Sequence, residues 1–263
     1  MRSTPHPYAD LPFVALAHRG GALLPGNEGR ENTLAAFQRA ADLGYLCLET
    51  DVRVTADGLL VAFHDDDTER LTGQPGTVEA RLADAVAELR VGGQPIPTVD
   101  QLFETFPEKR FNIDLKGPGT DQALAWAIAR HRAQDRVLVA SFDQARLSSF
   151  RALTRGEVAT AAAQPGIAWS RYVPLLPSHL SSPGQAFQVP LRHRLGPRQV
   201  TVFHPRLVAH AHATGRQVHV WTVDDAAEMN RLIDAGADGL ITDRPDILKA
   251  VLHDRGLWEG SHD

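Results

Sequence analysis

Short apolar and β-branched runs recur along this chain, separated by longer stretches in which apolar residues return every three or four positions. Side chains alternate across a strand, whereas a helix brings every third or fourth one to the same face, so the two rhythms mark different elements. The short runs predict strands over Phe13–His18, Leu46–Val54, Leu59–His64, Arg110–Lys116, Arg136–Ser141, Val158–Ala163, Ala186–Val189, Gln217–Thr222 and Gly239–Thr242. The longer rhythm predicts helices over Thr33–Leu43, Thr120–His131, Gln144–Leu153, Arg206–Ala213 and Ala226–Ala235. Strands that alternate with helices imply a parallel sheet, because parallel neighbours need a crossover connection.

With Leu59–His64 set aside as an excursion after the second strand, eight strand–helix repeats are left. Eight repeats in about 250 residues is the arithmetic of a closed (β/α)8 TIM barrel. An open doubly wound sheet is the alternative, but the glycine-rich dinucleotide turn that would favour it is missing after the first strand. The expected organisation is therefore one barrel domain over residues 1–263, with a small insertion at about 65–98 that carries one helix, Val78–Leu89. Residues Pro165–Gln199, with Trp169, Tyr172, Arg192, Arg194 and Arg198, read as long loops near the fifth and sixth strands, and long loops in a compact barrel are usually functional.

Composition narrows the partners. There are 27 Lys and Arg against 32 Asp and Glu, a net charge of −5 with no long basic run, so a nucleic-acid partner is not expected. The 43% hydrophobic content suffices for a large core. Cys47 is the single cysteine and cannot pair internally, which fits a reducing compartment. Met1 to Asp10 lacks the apolar core of a secretory leader, and no run approaches the ~20 apolar residues of a spanning helix. The expectation is a cytoplasmic protein without stable membrane insertion; its oligomeric state is left open.

The second strand is the most informative segment. Leu46, Leu48 and Val52 share one face and Glu49 and Asp51 the other. If the apolar face meets the helices, the two carboxylates point inward, where they repel each other unless a cation lies between them. Phe111-Asn112-Ile113-Asp114-Leu115-Lys116 repeats the pattern, with Asn112, Asp114 and Lys116 on the polar face. Three inward carboxylates beside a lysine suggest an oxygen-ligand site for Mg²⁺ or Ca²⁺. The competing reading makes them ion-paired residues that tie neighbouring strands together, while Asp57, Asp65, Asp66 and Asp67 read as solvated turn residues.

Two histidines end strands. His18 precedes Arg19-Gly20-Gly21, and His64 precedes Asp65. Both would reach the carboxyl-end face, where two imidazoles can divide general-acid and general-base work near neutral pH. His210-x-His212 falls in a helical stretch, where i and i+2 diverge, and reads as surface; Arg192-His193-Arg194 could touch an anionic substrate but also fits a solvated triplet. Cys47, deeper on the Glu49 face, reads as core.

The ordered set His18-Arg19-Gly20, Glu31-Asn32-Thr33, Glu49-x-Asp51, His64-Asp65, Asp114-x-Lys116, Trp221-Thr222 and Asp238-Gly239-Leu240-Ile241-Thr242-Asp243 resembles the glycerophosphodiester phosphodiesterase family over about Phe13 to Leu248. The resemblance implies a TIM barrel with a small insertion after the second strand, and divalent-cation-dependent hydrolysis of glycerophosphodiesters to glycerol 3-phosphate and an alcohol. It further implies that Glu49, Asp51 and Asp114 bind the metal, and that His18 and His64 form the acid/base pair. Arg19 and Lys116 would hold the phosphate, Glu31 would orient Arg19 or His18, and Trp221, inward with His219, would wall the glycerol carbons.

The sequence departs from the family pattern twice. Asp114 stands where the family often has Glu, and the loop Gly21–Arg30 is longer than the usual approach to Glu31. The alternatives weighed are a phospholipase D-type enzyme acting on lysophospholipids, a non-catalytic phosphodiester-binding barrel, and an enolase-like barrel, for whose capping domain the chain has no room.

Overall fold

The computed structural model describes residues 6–162, 184–195 and 198–260. Eight parallel strands lie side by side in the order β8 (Ala159–Thr160), β7 (Val137–Ala140), β6 (Arg110–Leu115), β2 (Cys47–Val54), β1 (Val14–Ala17), β13 (Gly239–Thr242), β12 (Gln217–Trp221) and β9 (Ala186–Pro190). The two ends of this row meet at a parallel bridge between Ala161 and Ala186, where the Ala162 amide donates to the Ala186 carbonyl at 2.7 Å and the Gln185 amide to Thr160 at 2.8 Å. The result is a nearly closed eight-stranded barrel. A short antiparallel strand, β3 (Leu60–Ala62), pairs with the outer half of β2, which is the excursion that the sequence predicts.

The helices α1 (Leu34–Asp42), α4 (Val99–Thr105), α5 (Thr120–His131), α6 (Gln144–Leu153), α7 (Pro205–Ala213), α8 (Ala226–Asp234) and α9 (Pro245–Asp254) surround the strands. Their apolar stripes meet the outward side chains of the barrel, Leu48, Val52, Phe111, Ile113, Val137, Val139, Phe187, Val218, Val220 and Leu240 among them, all buried in one continuous core. Burying a side chain of this size contributes about 1.5–3 kcal/mol, so this shell, rather than the polar interior, holds the fold together. Inside the barrel the floor is apolar too: Tyr8 packs with Leu138, Ala159, Ala161 and Ala186, and Cys47 with Val14, Leu16 and Ile241. The charged side chains of the barrel interior gather instead at the opposite, carboxyl-end layer.

Two expectations change. The helix predicted over Val78–Leu89 is reduced to α3 (Ala83–Ala87), because Leu82 is extended at ψ 158° and the Asp57 carboxylate accepts from the Ala83 amide at 2.9 Å, starting the helix there. A one-turn helix, α2 (Glu69–Thr72), precedes it, and β4 (Arg90–Val91) pairs with β5 (Gln94–Pro95). Val61, Phe63, Val78, Val86, Leu89, Val91 and Ile96 give this segment a small core of its own. Where loops are expected before Gln199, β10 (Arg192–Leu195) and β11 (Arg198–Thr201) form an antiparallel pair. Basic residues interrupt both strands, so no apolar alternation announces them. The expectations for Trp169 and Tyr172 lie outside the described residues.

Candidate active site

Parallel pairing of β2 with β6 sets Glu49 beside Asn112 and Asp51 beside Asp114, all four buried and facing inward. The carboxylates are thus stacked in two layers, with Asp51 and Asp114 above Glu49. Lys116, just past β6, sends its ammonium between the upper pair, 2.6 Å from Asp114 Oδ2 and 3.0 Å from Asp51 Oδ1.

His18 and Arg19 leave the end of β1 in a tight turn. Arg19 has a left-handed φ of 51° and Gly20 one of 83°, and a Cβ on Gly20 would come within 2.9 Å of the Ala36 backbone. The turn aims the Arg19 amide at Glu49 Oε2, 3.0 Å away, and its guanidinium at Glu31 Oε1, 2.9 Å, with Nε 3.1 Å from Asp51 Oδ2. Asn32, ahead of α1, donates to the same Asp51 oxygen at 3.2 Å. Thr33 caps α1 by accepting from the Ala36 amide, which fixes where Glu31 and Asn32 stand.

The two histidines are held alike. His18 Nδ1 lies 2.7 Å from Asp243 Oδ1, and His64 Nδ1 lies 2.7 Å from Asp65 Oδ1. A carboxylate partner puts the proton on Nδ1 and leaves Nε2 for the cleft. His18 Nε2 is 3.9 Å from Glu49 Oε2. Trp221 joins the mouth from the end of β12, and Phe142 meets it edge-on at 5.8 Å and lies under the Lys116 ammonium at 5.5 Å.

His18, Arg19, Glu49, Asp51, His64, Asp114, Lys116 and Trp221 therefore line a single cleft, and Glu31 stands behind Arg19. His219, expected inward with Trp221, is inward but lies beneath the cleft, fully buried between Gln217 and Gln188; burial pushes its pKa down to about 4 and keeps it neutral. His212 pairs with Asp238 on the outer surface, 2.9 Å away. Asp65 is not the solvated turn residue expected: it holds His64 and is itself held by Arg70. Asp243, Arg70, Asn32, Phe142 and Gln188 are residues of the site that sequence reasoning did not single out for a role. Asp243 could have been found, since it follows β13 as His18 follows β1.

Burial, and then the neighbouring Asp51 charge, push Glu49 up to about 7. Burial also favours the neutral form of Asp51, but Lys116 and Arg19 outweigh it and hold that carboxyl low. Asp114 is raised by burial despite Lys116. Burial opposes the charged form of His18, yet Glu49 and Asp243 raise it above the usual imidazole value.

The donor set suits a hard divalent cation: three carboxylates line one barrel end, and Asp114 Oδ1 is buried without a hydrogen-bond partner among the described residues. Among those residues no three His, Cys, Asp or Glu side chains yet converge at ligating distance. Lys116 and Arg19 pair with Asp51, and Lys116 also with Asp114, offsetting part of their charge.

A barrel floored with apolar residues and open at its carboxyl end onto carboxylates, cations and two carboxylate-held histidines is the architecture of a (β/α)8 enzyme. The sequence profile of the Glycerophosphoryl diester phosphodiesterase family matches residues 18–247. The chain is 38% identical over 259 residues, 94% of each protein, to a protein of Mycobacterium tuberculosis named probable glycerophosphodiester phosphodiesterase 2. It is 31% identical to the glycerophosphodiester phosphodiesterase of Caldanaerobacter subterraneus, covering 89% of this chain and 96% of that one. The structure of an Oleispira antarctica phosphodiesterase in complex with the product sn-glycerol-3-phosphate superimposes with a TM-score of 0.75 at 24% identity, covering 94% of this chain and 99% of that one. The chain belongs to the glycerophosphoryl diester phosphodiesterase family and is an enzyme of that class. Among its described residues no helix is long and apolar enough to cross a membrane.

Proposed function

We propose that this enzyme hydrolyses glycerophosphodiesters to glycerol 3-phosphate and an alcohol, with His18 and His64 as the acid/base pair. The observation that carries this reading is the matched pair of imidazoles, each with Nδ1 2.7 Å from an aspartate and both lining the same cleft. One imidazole takes the proton of the attacking hydroxyl, either of water or of the C2 position of the glycerol half; in the second case a cyclic phosphate forms first and water opens it to glycerol 3-phosphate. The other gives a proton to the departing alkoxide. Arg19 and Lys116, both on the cleft wall, bind the nonbridging phosphate oxygens and stabilise the charge that grows there. Glu31 keeps the Arg19 guanidinium turned towards the cleft. Trp221 offers its ring to the glycerol carbons.

Glu49, Asp51 and Asp114 are the residues that would hold a divalent cation, Mg²⁺ or Ca²⁺. When bound, such an ion neutralises phosphate charge. The experiment is an assay of the purified protein against glycerophosphocholine, glycerophosphoethanolamine, glycerophosphoglycerol and a lysophospholipid, with and without chelator. Release of glycerol 3-phosphate supports the reading. Release of lysophosphatidate and the headgroup alcohol from the lysophospholipid alone would turn it towards a phospholipase D, and binding without turnover would make the barrel a phosphodiester receptor.

A further inference from the structure

Arg70 lies in α2, outside the barrel, and its guanidinium joins two parts of the cleft. Its Nη1 and Nη2 donate to Glu31 Oε2 and Oε1 at 3.0 and 2.8 Å. Its Nε and Nη2 donate to Asp65 Oδ2 and Oδ1 at 2.5 and 3.0 Å. Glu31 in turn holds Arg19, and Asp65 holds His64. The order Arg19, Glu31, Arg70, Asp65, His64 is an unbroken row of alternating cations and anions, with the imidazole at its end, across the mouth of the barrel.

The placement of α2 supports this contact. Asp67 accepts from the Glu69 amide at 2.8 Å and from the Gly76 amide at 2.9 Å, fixing the turn on which Arg70 stands. A planar guanidinium with five donors can serve two carboxylates two-pronged at once; an ammonium cannot. Glu31 and Asp65 come from different loops, and both oxygens of each carboxylate bond to Arg70, so its loss removes the contact that fixes the plane of each and leaves Glu31 on Arg19 and Asp65 on His64 by one oxygen.

We propose that Arg70 is a positioning residue for the reaction: through Asp65 it sets the imidazole plane of His64, and through Glu31 the guanidinium of Arg19, so that the inserted segment aligns the site. This rests on the proposed function, which supplies the roles of His64 and Arg19. Removing a partner that orients a metal-ligating side chain typically costs ~10–100-fold in activity, and a loss on the same scale is expected for a partner that orients His64 and Arg19.

The test compares kcat and KM for glycerophosphocholine, together with Tm, in Arg70→Met, Arg70→Lys, His64→Ala and the double variant Arg70→Met/His64→Ala. The inference expects Arg70→Met to lower kcat ~10–100-fold and to raise KM, and Arg70→Lys to recover only part of either. In the His64→Ala background, Arg70→Met should lower kcat by a smaller factor than it does in the wild type, because the branch through Asp65 is already lost and groups acting as a unit are not additive. If Arg70 merely fastens α2 to the barrel, Tm falls while kcat and KM stay, and the inference is overturned. Full recovery by lysine, or an undiminished further loss of kcat in the double variant, overturns it too. Should Arg70→Met not fold, Arg70→Gln is read by the same criteria. Near-normal kcat in His64→Ala would defeat the acid/base reading itself. A large loss there with normal constants in Arg70→Met defeats only the role of Arg70.

Discussion

His18 Nδ1 donates to Asp243 Oδ1 at 2.7 Å, a contact between residues 225 positions apart in the chain. It exists because β1 and β13 are parallel neighbours whose next residues both reach the mouth. The aspartate fixes the tautomer and supports the imidazolium. Asp243→Asn keeps the shape and removes the charge, so kcat is expected to fall by at least ~10²-fold with Tm nearly unchanged. Steady-state kinetics beside a thermal melt decide it; kcat within a factor of two of wild type (~2-fold) would show that the contact is structural only.

His18→Ala and His64→Ala should each lower kcat ~10²–10⁴-fold. If the two imidazoles serve one proton-transfer cycle, the double variant should be little worse than either single one. Additive losses on a logarithmic scale would contradict a shared cycle.

The buried carboxylates predict opposite effects on activity and stability. Glu49 is raised from 4.5 to about 7, so the folded chain binds its proton more tightly than the unfolded chain does. Stability from this group is then fullest below about 4.5 and is lost as pH rises through 7. With chelator present, Tm of the wild type should therefore decline between those pH values, and Glu49→Gln should flatten the decline while abolishing turnover. Asp51→Asn should also abolish turnover. Unchanged activity after exhaustive chelation would remove the cation from the proposal.

Trp221 and Phe142 meet at the mouth but differ in exposure, Phe142 being 55% exposed. Trp221→Ala should impair all glycerophosphodiesters alike, because the glycerol half is common to them. Phe142→Ala should instead alter the ranking of leaving alcohols, whose varied half extends outward. Comparing kcat/KM over three substrates tests this, and an unchanged ranking in the Phe142 variant would rule out its part in selectivity.

What the chain made legible was whatever depended on local alternation. Glu49 and Asp51 against Leu48 and Val52, and Asn112 and Asp114 against Phe111 and Ile113, assign faces before any coordinates exist, and the observed register keeps those faces. Partnerships across the barrel were not legible in this way. Asp65 sits in an Asp-rich turn whose composition reads as solvated, and only the folded position of Arg70 shows that it is engaged. Arg70 itself lies in a four-residue helix too short to leave a periodic signal. The β10–β11 pair escaped notice for a related reason: Arg192, Arg194 and Arg198 give it the composition of a loop.

The pairing of β1 with β13 also bears on how the molecule comes into being. A chain emerging from the ribosome exposes His18 early, but the neighbouring strand that completes the hydrogen bonding of β1, and the aspartate that holds His18, emerge more than 200 residues later. Contacts of such sequence separation form late, because the intervening loop must be closed first. Until then β1 keeps an open edge and His18 lacks its orienting carboxylate. The pairing that joins the first strand of the barrel to the last is thus also the one that brings Asp243 to His18, and a chain without β13 carries both histidines yet has only His64 beside its aspartate.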